Sequence, residues 1–74
     1  MRRYYFHVWD GVHLRKDRRG VELQRLEEAV EDVEETMKEL REAGEDLSRY
    51  VVEVVSDDGS KTYIHGSAFT SRRA

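Results

Sequence analysis

One uninterrupted amphipathic run decides most of what this chain can fold into. From Glu22 to Ala43 there is neither proline nor glycine, and apolar residues fall at Leu23, Leu26, Val30, Val33, Met37 and Leu40. Steps of three and four place them on one stripe of a helix. The spacing predicts a helix over Glu22–Ala43, closed by Gly44 in a left-handed C-cap. Gln24 is a weak N-cap, so the start is poorly marked. Glu27/Glu31, Glu28/Asp32, Glu31/Glu35 and Glu35/Glu39 are like-charge neighbours one turn apart, each costing about 0.2–0.5 kcal/mol. Such a helix must be held by packing its stripe.

Strand-like runs lie on both sides. Arg3 to Val8 is aromatic and β-branched. Trp9-Asp10-Gly11 follows, and a three-residue loop with Gly11 at positive φ pairs Val8 with Val12 and Phe6 with Leu14. That register gathers four apolar side chains on one face and sets His7 opposite His13 and Tyr5 opposite Arg15 on the other. A two-residue Asp10-Gly11 loop would pair Val8 with His13 and mix polar with apolar, and ranks lower. Asp17 to Gly20 reads as a charged turn, with Val21 and Leu23 leading into the helix. Beyond it, Tyr50 to Val55 reads as a strand. Asp57-Asp58-Gly59 repeats the loop logic, pairing Ser56 with Ser60, Val54 with Thr62 and Val52 with Ile64. Gly66 and Ser67 end the last strand, and Phe69 is expected to fold back onto the core.

The order is therefore ββαββ, an α+β domain over residues 1–74. Two hairpins form an antiparallel sheet with one long helix packed on one face. Tyr4, Phe6, Val8, Leu14, Tyr50, Val52, Val54 and Ile64 are expected to meet the helix stripe. Residues 1–3 and 71–74 are expected to fray.

With 74 residues the domain buries only about 60% of its unfolded surface, and its stability margin is thin. There is no cysteine, so disulfides and thiolate zinc sites are excluded. No apolar run approaches a membrane span, and the start lacks a signal-peptide core, so a cytoplasmic location and no membrane partner are expected. Charge is unevenly placed. Glu22–Asp46 holds eleven acids and three bases, a balance of −8, and the remainder five acids and ten bases, a balance of +5. Solvated surface and internal pairing account for most of this, and a basic face for an anionic partner is the sharper alternative.

Arg3-Tyr4-Tyr5-Phe6-His7-Val8, then Asp10-Gly11, then Gly20-Val21-Glu22-Leu23, resembles a family of short bacterial proteins of unknown function. Asp46-Leu47-Ser48 and Val52-Glu53-Val54 with its Asp-Gly turn are similar too. The resemblance covers nearly the whole chain. It implies a stand-alone bacterial domain and carries no activity or site.

Chemistry-bearing constellations are sparse. His7 and His13 face each other in the expected register, but zinc wants three or four convergent ligands, so no metal and no cofactor is expected. No serine sits in an elbow-like glycine setting, and the dispersed glycines cradle no phosphate. An enzyme is not expected. The sheet face away from the helix is the informative surface. It is expected to carry Tyr5, His7, Trp9, His13, Arg15, Val51, Val55, Tyr63 and His65, more ring and apolar surface than solvation requires. Tyr5, His7, Trp9, Arg15, Tyr63 and His65 are the candidate binding residues. A homodimer is the first expectation, through this face or through a helix that overhangs its sheet. Another protein partner is the next. Single-stranded nucleic acid stacked on Tyr5, Trp9 and Tyr63, with Arg15, Lys61 and Arg18-Arg19 on the phosphates, ranks lower.

Overall fold

The computed structural model describes residues 1–69. The expected fraying of 71–74 lies outside them. The chain forms β1 (Arg2–Trp9), β2 (Leu14–Arg15), β3 (Val21–Leu23), α1 (Leu26–Glu42), β4 (Val51–Ser56) and β5 (Lys61–His65). Short 3-10 turns follow α1 at Leu47–Arg49 and β5 at Gly66–Phe69. The architecture is a small α+β domain: one antiparallel five-stranded sheet and one helix. β1 and β4 form its centre, β5 flanks β4, and β2 and β3 share the outer side of β1.

The second hairpin forms as its residues dictate. Val54 lies opposite Thr62 and Val52 opposite Ile64. Gly59 has φ +92, and its N–H donates to the Ser56 carbonyl at 2.9 Å. The Asp58 carboxylate accepts from the Ser60 N–H and from the Ser56 and Ser60 hydroxyls, which holds its pKa well below the ordinary carboxylate range.

The first hairpin differs from expectation. Trp9 lies opposite Leu14 and Val8 opposite Arg15, so the loop is Asp10–His13. The Asp10 carboxylate is the reason. It accepts from the N–H groups of Val12 and His13 at 2.9 and 2.7 Å, so these residues curl around it instead of joining the ladder. Gly11 keeps its positive φ of +96. The shift reverses the faces: Leu14 leaves the core side and Arg15 joins it.

The outer side of β1 carries a strand that the sequence reading missed. Val21, Glu22 and Leu23 pair with Tyr4, Arg3 and Arg2, so these two arginines are in the sheet, not frayed. Between β2 and β3 the ladder is broken, and Asp17 fills the break. Its carboxylate accepts from the Phe6 N–H at 3.2 Å and from the Arg19 and Gly20 N–H groups at 3.0 and 3.1 Å. Partial burial opposes the charge, yet these three donors prevail and hold the Asp17 carboxyl below its ordinary value. Replacing Asp17 by Ala should cost about 1–2 kcal/mol, read from a urea midpoint, because the Phe6 N–H loses its acceptor. The sign with pH follows. A depressed carboxyl stabilises the fold above its unfolded value of about 3.8, and this contribution is lost as pH falls through the lower folded value. Wild type should therefore lose its advantage over the Asp17→Ala variant below about pH 4. An equal gap at pH 3 and pH 7 would contradict the role given to this carboxylate.

Because Val21–Leu23 is a strand, the helix begins at Leu26, later than Glu22. Glu28 reaches back to accept from the Gln24 and Arg25 N–H groups at 2.7 and 3.2 Å, the return half of a capping box, which fixes the helix start. At the other end Gly44, φ +89, donates to Arg41 and Glu45 to Leu40, a Schellman closure at the expected glycine. The 17 residues of α1 span about 25 Å, no longer than the eight of β1 at about 27 Å. The overhang expected from a helix over Glu22–Ala43 rested on a length that α1 does not have.

Tyr4, Ala29, Val33, Met37, Leu47, Val52 and Val54 are buried together, and Phe6, Val8, Leu23, Leu40, Tyr50, Ile64 and Phe69 pack around them. Ala29, Val33 and Met37, four residues apart, form the deepest ridge, whereas Leu26 on the expected stripe is exposed. Leu14, expected in the core, is exposed as well. Leu47 is placed by Asp46, whose carboxylate caps the 3-10 turn through the Ser48 N–H at 3.1 Å.

Candidate interaction face

Side chains alternate across a strand, so burying Tyr4, Phe6, Val8, Val52 and Val54 under α1 turns their neighbours to the far side. The registers arrange those neighbours in three rows. Leu14, Trp9, Val51 and His65 form the first, His7, Glu53 and Tyr63 the second, and Tyr5, Val55 and Lys61 the third. The first two rows enclose a shallow groove of about 330 Å³ lined by His7, Trp9, Leu14, Val51, Glu53 and Tyr63. Trp9, Leu14 and Tyr63 are 42, 52 and 55 % exposed. Three large apolar side chains exposed in one groove differ from the isolated ones that any surface carries.

Glu53 is the polar centre of the face. The Tyr63 hydroxyl donates to Glu53 at 2.8 Å, and that carboxylate raises the hydroxyl's pKa above the ordinary phenol range. Lys61 approaches the same carboxylate at 3.8 Å. His7 is turned toward the broken edge, where its Nδ1 accepts the Asp17 N–H at 3.0 Å.

Of the six candidate binding residues, Tyr5, His7, Trp9, Tyr63 and His65 share this face. Arg15 does not, because it lies opposite Val8 and turns to the helix side. His13 sits in the Asp10–His13 loop, and His7 lies opposite Glu53, so the expected histidine pair does not form. Among the described residues no group of three or more His, Asp or Glu is arranged to hold a metal ion. Leu14 is the face residue that sequence reasoning missed. The signal available for it was Asp10, whose carboxylate competes with the ladder for the next two N–H groups.

Among the described residues no helix is long and apolar enough to cross a membrane. No curated protein and no solved structure matches the chain. Residues 3–63 match the model of a family described as a domain of unknown function, DUF6894, and the chain belongs to that family.

Proposed function

We propose that the protein is a small non-enzymatic interaction module that self-associates through the open sheet face. The observation that carries this reading is the exchange of Leu14 for Arg15 on that face. It adds an apolar side chain beside Trp9 and removes a cation. A small core with an open apolar sheet gains most from a second apolar surface, and a copy of the chain brings one. The resemblance to short bacterial proteins supports a bacterial setting as part of the same proposal, and a cytoplasmic location is proposed alongside it.

Trp9 is the chain's one tryptophan and lies in the groove, so it reports on the contact directly. Sedimentation across micromolar concentrations should show a monomer–dimer equilibrium, with Trp9 emission moving to shorter wavelength as dimer forms. Leu14→Lys should weaken association by about tenfold or more while leaving the unfolding midpoint nearly unchanged, since a charge enters the contact and not the core. A strict monomer at the highest concentrations would end this reading. The alternative, single-stranded nucleic acid stacked on Tyr5, Trp9 and Tyr63, loses Arg15 and meets the Glu53 carboxylate in mid-face. Tight binding of a labelled oligonucleotide at low salt, where phosphate attraction is strongest, would reinstate it.

A further inference from the structure

We propose that the groove between α1 and the outer side of β1 binds a medium-chain aliphatic carboxylate, with the chain between helix and sheet and the charged end at Arg15. The groove opens on the helix side of the sheet, so this site does not depend on the self-contact. It holds about 210 Å³ and is lined by Phe6, Val8, Val21, Val33 and Val52, with Asp32 and Thr36 on its helix lip. The break in the ladder creates it. Arg15 of β2 lies opposite Val8 and Val21 of β3 opposite Tyr4, while Phe6, between them on the same face, has no strand residue opposite it on that side. The Asp17 carboxylate takes the Phe6 N–H there. It satisfies the backbone but brings no apolar side chain under the helix, so Phe6 and Val8 stay half-buried and Val21 is 43 % exposed. An apolar cavity of about 150 Å³ takes up benzene, and scaling by volume gives this groove a chain of roughly eight carbons.

The charges around the groove decide the head group. Arg15 stands on the sheet lip, turned to the helix side with Val8. It is exposed and makes no ion pair among the described residues, and neither do Lys16, Arg18 and Arg19 in the loop after it. Its pull on the Asp10 carboxylate is slight beside the backbone bonds that hold that group. The acid on the opposite lip is Asp32. α1 follows β3 from the Arg2 end of β1 and leads back to β4 at the Trp9 end, so Asp32 lies toward Val21 and Thr36 toward Arg15. One end of a carbon-lined groove therefore carries an unpaired guanidinium, with the acid displaced toward the other end. Arginine grips a carboxylate through two parallel N–H bonds, which a neutral chain cannot use and a cationic chain would oppose.

Octanoate is the probe, titrated into the full chain below micelle-forming concentrations and followed by methyl NMR. The methyl resonances of Val8, Val21, Val33 and Val52 should shift and saturate, with a Kd on the order of 1 mM or tighter. Octanol and acetate separate the chain from the head group. Octanol should bind the same methyls about fivefold or more weakly, because it leaves Arg15 unpaired. Acetate alone should not move them. Arg15→Gln changes an exposed side chain, so the fold should be unaffected. It should reduce octanoate to the level of octanol and leave octanol unchanged. Val21→Trp on the exposed lip closes the mouth of the groove and should abolish binding of both, with a urea midpoint near that of wild type. Groove methyls that stay still, shifts confined to Trp9 and Leu14 on the other face, or octanoate held equally by wild type and Arg15→Gln would each overturn the assignment.

Discussion

Gly66→Ala should lower stability by about 3 kcal/mol, visible as a large drop in the urea midpoint with little change in slope. Gly66 is buried where β5 runs into the final 3-10 turn, and its N–H donates to the Tyr50 carbonyl at 2.7 Å. A methyl group built there would lie 2.0 Å from the Leu47 carbonyl oxygen and 3.1 Å from the Tyr50 Cβ. Neither neighbour can swing aside, because the first is backbone and Leu47 is locked in the core. Relief requires parting the two 3-10 turns, which loosens Leu47 and Phe69 together. Gly59→Ala is the informative comparison. Nothing lies within 4 Å of a methyl at Gly59, and only its φ of +92 resists the change, so the cost should be about 1–2 kcal/mol. A Gly66→Ala variant as stable as Gly59→Ala would mean that the close approach to Leu47 is not maintained in solution.

Met37→Ala should cost about 3 kcal/mol by the same measurement. Met37 is fully buried on the helix ridge, and truncating it leaves a void beneath α1. In a domain whose total stability is of order 5 kcal/mol, that leaves little folded margin. Leu26→Ala, on the expected stripe but exposed in the first turn, should cost under about 1 kcal/mol. Equal costs at the two positions would reverse the assignment of the buried ridge to Ala29, Val33 and Met37.

Particular residues show where the chain's architecture was legible and where it was not. The second hairpin was readable because Gly59 and the strand alternation agree, and the Asp58 carboxylate takes the Ser60 N–H within the turn without displacing the Val55–Lys61 pair. The helix end was readable for the same reason: Gly44 does locally what its type demands. The first hairpin was misread because Asp10 binds two backbone N–H groups, a side-chain effect that outweighs pairing by hydrophobic pattern. β3 was hidden because Val21-Glu22-Leu23 fits either a helical lead-in or a strand. What decides it is the open outer side of β1, a partner supplied from far along the chain. Leu47 and Gly66 gave no periodic signal, since each is placed by a short turn. Five of six candidate residues still fell on one face, because alternation along β1 and β5 survives an error in β2. Arg15 and Leu14 changed places because they depend on that register alone.

The interruption of the ladder beside β1 has a consequence for how copies of this chain can join. A foreign strand seeking continuous backbone pairing finds on that flank two short fragments and a carboxylate already bonded to the Phe6 amide. Growth by strand addition is therefore blocked at one border of the sheet. Among the described residues β5 forms the opposite border. A sheet that can be extended from one side joins its like once and stops, so runaway fibrous stacking through the strand edges is closed to this fold.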